Sequence, residues 1–199
     1  MQSLRHIGKC RHNVALALAV VLYHGVLLCL PVCNGSQADF RDLLFMLNTT
    51  QKTYIYGRSI RHERDLDHEM CTYYTKKDLN NTDYDFTLFM PFHNRDKSYD
   101  LHAKLGNGTE DPGPYMNVTN WPGIGDVTKK LWRYSYPGHC GIMLYPLHGK
   151  IQCEIHVREK GIPKQYIDHI HYICDRLFWE LCGRDAIMYR LYSSNCSSL

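Results

Sequence analysis

Between Thr53 and Arg158 apolar and polar residues alternate in short runs, and residues that favour turns separate the runs at even intervals. This pattern predicts eight strands: Thr53–Arg58, Glu69–Lys76, Tyr84–Phe92, Ser98–Leu105, Tyr115–Thr119, Val127–Tyr136, Cys140–Tyr145 and Ile151–Arg158. Asn80-Asn81, Gly106-Asn107-Gly108, Pro122-Gly123, Pro137-Gly138 and His148-Gly149 supply turn chemistry between them. Two segments depart from the period of two. Asp39–Leu47 sets Phe40, Leu43, Leu44 and Leu47 on one side, which predicts a short helix. From Pro163 to Cys182 the apolar residues Ile167, Ile170, Cys174, Leu177, Phe178 and Leu181 recur at three and four, with a proline suited to the first turn and Gly183 just past the end. Eight strands in a meander, then one helix and a short tail from Ala186 to Tyr192, predict a mainly β fold. The expected architecture is a closed eight-stranded antiparallel up-and-down barrel with the amphipathic helix on its wall.

The N-terminus has a different character. Arg5, Lys9 and Arg11 precede a mostly apolar stretch from Val14 to Leu30, with small or modest residues at Cys33-Asn34-Gly35, so residues 1–35 read as a secretory signal peptide and 36–199 as a single domain. Three of the nine cysteines, Cys10, Cys29 and Cys33, leave with that leader. The even set Cys71, Cys140, Cys153, Cys174, Cys182 and Cys196 remains, as expected of an oxidised, secreted chain. Sequons at Asn48, Asn80, Asn107, Asn117 and Asn195 fit a glycoprotein of that compartment. The leader also removes three of the 23 basic residues and no acid, leaving 20 against 20, a balance that argues against nucleic acid or an anionic membrane as partner.

Chemistry-bearing motifs are scarce. The sequence holds no G-x-S-x-G elbow, no H-E-x-x-H, no phosphate loop and no dinucleotide fingerprint, and its cysteines are better used as bridges than as nucleophiles, so no enzyme is expected. Twelve histidines are scattered along the chain. Asp168, His171 and Asp175 share one helix face, but it lies opposite the apolar stripe and reads as a solvated face, so no metal and no cofactor are expected.

Cys140-Gly141-Ile142, Cys153-Glu154-Ile155-His156, a proline-led helix carrying Cys174, then Cys182-Gly183 and the Tyr192 to Cys196 terminus together resemble the tick salivary lipocalins, the histamine-binding-protein family. Ala38-Asp39-Phe40 through Lys52 is similar to that family's opening helix and first strand. The resemblance implies a secreted, monomeric salivary barrel. Such a protein sequesters a small host mediator, histamine or serotonin by default, and suppresses inflammatory and haemostatic defence. A leukotriene or thromboxane-type lipid is the alternative ligand. A second alternative is inhibition of a host complement, coagulation or chemokine factor through loops around Asp65-Leu66-Asp67, Asn94 to Lys97 and Gly106 to Gly113. The family frame also implies the bridges Cys71 with Cys196, Cys140 with Cys174, and Cys153 with Cys182.

The family's amine signature carries an acid after its first cysteine and a Glu-Leu-aromatic run. Here Gly141 stands in the first place, predicting a wider, less negative lumen there, and Glu154 keeps the second acid. If Cys140 and Cys153 face a helix outside the wall, alternation sends Gly141, Met143 and Tyr145, and Gln152, Glu154 and His156, into the lumen. Glu154 then receives a ligand ammonium or is satisfied by His156, and Tyr54, Tyr56, Trp132, Tyr134, Tyr136 and Tyr145 are available as aromatic walls. A carboxylate ligand would instead need His156 with an inward Arg58 or Arg133. A one-residue slip reverses the face of either arginine, and the pattern leaves both directions open.

Overall fold

The computed structural model describes residues 37–59, 70–91, 97–108, 113–162, 173–183 and 186–198. The predicted leader, residues 163–172 of the predicted proline-led helix, and the segments around 65–67 and 94–96 lie outside them. Helix α1 (Phe40–Leu47) starts where expected because Asp39 caps it, accepting from the Asp42 amide while the Asp42 side chain accepts from the Asp39 amide. Leu43, Met46 and Leu47 are its buried side.

Eight strands follow: β1 (Thr53–Arg58), β2 (Tyr73–Leu79), β3 (Asp83–Met90), β4 (Lys97–Gly108), β5 (Gly113–Trp121), β6 (Gly125–Ser135), β7 (Cys140–Leu147) and β8 (Lys150–Arg158). Each pairs antiparallel with the next, β8 returns to β1, and β1 meets β2 at Thr53↔Tyr74 and Tyr54↔Tyr73, which closes the barrel. The second strand begins later than its sequence pattern suggests because Cys71 takes a left-handed backbone, φ 62°, that no strand continues through. Helix α2 (Ile173–Cys182) packs on β7 and β8, and a two-residue strand β9 (Tyr189–Arg190) adds to the far end of β1.

Two apolar layers result. The inner one fills the barrel with Tyr74, Tyr84, Phe86, Leu88, Leu131 and Met143 among others, and α1 closes over it. The outer one lies between the wall and α2, built from Ile142, Ile155, Val157, Leu177 and Phe178 around the cysteines. The bridges are Cys71–Cys196, Cys140–Cys174 and Cys153–Cys182, the pairing that the resemblance implies. Asp175 departs from the expected solvated helix face. It is buried, with Arg190 Nη2 2.5 Å from its Oδ2, because the C-terminal tail covers that side of α2. Asp168 and His171 lie outside the described residues. No helix among the described residues is long and apolar enough to cross a membrane.

Candidate ligand site in the barrel

Alternation along β8 directs Glu154 and His156 into the lumen, while Cys153, Ile155 and Val157 face α2. Opposite them β6 sends Val127, Lys129 and Leu131 inward by the same period. Lys129 is 0% exposed and Glu154 1%, and the ammonium lies 2.5 Å from Glu154 Oε2. The same ammonium sits 3.7 Å from the Trp121 ring centroid and 4.8 Å from that of Tyr145, so two aromatic faces and one carboxylate enclose it.

His156 completes the set. Its Nε2 is 3.1 Å from Glu154 Oε2 and its Nδ1 is 3.0 Å from the Tyr74 hydroxyl. A carboxylate only accepts, so Nε2 carries the proton, and the Tyr74 O–H donates to Nδ1 of a neutral ring. Burial pushes the imidazole below its ordinary value, against the pull of Glu154, which agrees with that neutral form. For Glu154 burial raises the carboxyl, but Lys129, His156 and Arg58 outweigh it and hold the group well below the usual carboxylate range. Burial, with Glu154 second, pushes the Tyr145 phenol well above its usual value.

Three irregularities in strand register decide what else reaches the lumen. Between Ile55 and Gly57 the β1–β8 pairing shifts, so Ile55 lies opposite His156 and Arg58 lies opposite Glu154, turning Arg58 inward. A second shift between Leu131 and Arg133 turns Tyr134 inward and Arg133 outward, where its guanidinium is 3.7 Å from Glu180 on α2. A third, between Val118 and Trp121, brings Trp121 over Lys129.

Several expected wall residues stand elsewhere. Tyr54 and Tyr56 belong to the outer layer, with ring centroids 5.0 Å and 5.7 Å from Tyr192, because alternation on β1 puts Ile55 inside; burial there pushes the Tyr54 phenol up to about 12. Trp132 is the extra residue of the β6 irregularity, half-buried and in neither apolar layer. Tyr136 is exposed beyond the end of β6 and donates to Asp42 on α1 at 2.6 Å. Tyr134 packs inside the mouth against Phe45, 5.7 Å between centroids, and Tyr145 lines the lumen.

Gly141 does face inward, but the expected widening is absent. A Cβ there would collide with Met46 Sδ and stand 2.8 Å from Leu131 Cδ1, so α1 has filled the space that an acid would take. The Gly141→Asp variant is therefore expected to lose about 1–3 kcal/mol of stability from overpacking. Urea denaturation with the disulfides intact measures this, and wild-type stability would show that Met46 moves aside freely.

No protein-family model matches the sequence, nor does any curated protein. Among solved structures, Japanin from Rhipicephalus appendiculatus bound to cholesterol matches with a TM-score of 0.50 at 16% sequence identity, covering 75% of this chain and 97% of that chain. The chain has the lipocalin fold. Within this lipocalin barrel, the inward polar and aromatic residues of the site that the sequence pattern did not single out include Lys129, Trp121, Tyr74 and Arg158. Arg158 caps the end of α1, donating to the carbonyls of Phe45 and Met46, a favourable place for a cation. The signal for Lys129 is its parity with Val127 and Leu131, set against the usual exposure of lysine. All five sequon asparagines among the described residues are exposed.

Proposed function

We propose that this is a secreted tick salivary lipocalin that sequesters a small, largely apolar host mediator bearing a carboxylate, of the leukotriene or fatty-acid type, and so blunts inflammatory and haemostatic defence. The observation that carries this reading is that Glu154 is already neutralised by Lys129. An amine ligand needs a lumen carboxylate left for its ammonium, and here a side chain of the protein holds that place. Among the described inward charges, Lys129, Arg58 and Arg158 stand against Glu154 alone, in a lumen of tyrosine, phenylalanine, tryptophan and aliphatic side chains. That excess favours an anionic head on an apolar body. The cholesterol in the Japanin structure supports an apolar ligand for this fold.

Sequestration acts by mass action, without turnover. A mediator near nanomolar therefore demands about −12 kcal/mol of binding free energy. The inner face leaves little surface open to water, so a ligand enters by displacing side chains. Calorimetric titration of the mature protein with leukotriene B4, its methyl ester, histamine and serotonin is the test. Saturable binding of the free acid, weaker binding of the ester and silence from both amines are expected. Saturable amine binding by the wild type would overturn the proposal, and silence from all four would move the function to a protein partner met by the loops.

A further inference from the structure

The surroundings of Lys129 are those of a receptor for a primary ammonium. Its Nζ has a carboxylate oxygen at 2.5 Å, the face of Trp121 at 3.7 Å and Tyr145 at 4.8 Å, and water is excluded. His156 holds the same carboxylate oxygen from a second side and is itself held by Tyr74, so the acceptor is fixed in place. A cation of this shape is recognised by charge, by hydrogen bonding and by ring faces at once. We propose that Lys129 is a specificity-determining residue, a tethered occupant of a built alkylammonium site whose presence excludes free amines from the lumen. The inference is separate from the lipid ligand proposed above, since it concerns only what these side chains accept.

Truncation to alanine deletes the atoms of one n-propylammonium, which makes that ion the probe. Calorimetry on Lys129→Ala with n-propylammonium and with 1-propanol is the experiment. The variant is expected to bind the ammonium roughly tenfold or more tighter than the alcohol, the least that a charge-assisted hydrogen bond confers. The wild type is expected to bind neither, and adding Glu154→Gln is expected to erase the preference. Equal affinity for the two probes, no binding by the variant, or binding of n-propylammonium by the wild type would overturn the proposal. Should Lys129→Ala fail to fold unaided, it is refolded with each probe. Recovery with n-propylammonium alone supports the site, and equal recovery or none with either refutes it. A protein that ignores lipids while its Lys129→Ala form takes the ammonium would sink the ligand class and leave this inference standing.

Discussion

Glu154→Gln is expected to destabilise the protein by about 3–5 kcal/mol, because it leaves the Lys129 ammonium buried without its counter-charge. The pair is fully enclosed, so solvent screens it little. Urea denaturation with the bridges intact reads the effect as a lower midpoint at unchanged slope. The double variant Lys129→Met with Glu154→Gln is expected to recover most of the loss, since replacing both charges removes the desolvation cost together with the attraction. An undiminished midpoint in the single variant would mean that Lys129 reaches water or another acceptor.

Acid should expose the same pair. Glu154 takes its proton in the folded state only well below the ordinary 4.5, so the unfolded chain binds that proton first as the pH falls. Its contribution is complete above 4.5 and drains away as pH falls toward the folded value. His156, pushed below its ordinary 6.5, acts in the same direction. The unfolded ring protonates first, and stability declines as pH drops from 6.5. Denaturation midpoints across this range should therefore fall continuously in the wild type, with the part below 4.5 flattened in Glu154→Gln.

The alternation of the chain made the strands legible, and the outward cysteines on the last two strands set the facing of Glu154, His156, Met143 and Tyr145 correctly. The facing of positions past a register shift could not be derived from alternation, although Tyr134 was among the expected walls. Arg58, Trp121 and Tyr134 face inward only because one extra residue is accommodated before each of them, and Arg133 faces outward for the same reason. A pattern of period two carries no mark of such an insertion until strands are paired. Gly141 shows a different limit. Its inward facing followed from the pattern, whereas the side chain that fills its space comes from α1, far away in sequence. Lys129 escapes the pattern for an energetic reason. A lone lysine is costly to bury, and only knowledge that Glu154 lies across the lumen makes the inward choice reasonable.

Removing the Cys71–Cys196 bridge is expected to cost about 5 kcal/mol by loop-closure entropy, against about 4 for either of the other two. The difference follows from separations of 125 residues against 34 and 29. Its structural consequence should also differ. β1 pairs with β2 over only two positions, and beyond them the C-terminal tail takes over: the Leu191 amide donates to the Tyr56 carbonyl at 3.0 Å and the Cys71 amide to the Leu191 carbonyl at 2.7 Å. That tail also brings Tyr192 against Tyr54 and Tyr56, and Arg190 to the buried Asp175. In Cys71→Ala/Cys196→Ala, hydrogen exchange at Leu191 and Tyr192 should accelerate before that of β7 and β8, whose bridges to α2 remain. Near-ultraviolet dichroism should change as the Tyr54, Tyr56 and Tyr192 rings lose their fixed packing. Protection of the tail at the wild-type level in this variant would show that the ion pair and the ring contacts hold it, and that the bridge acts on the unfolded chain alone.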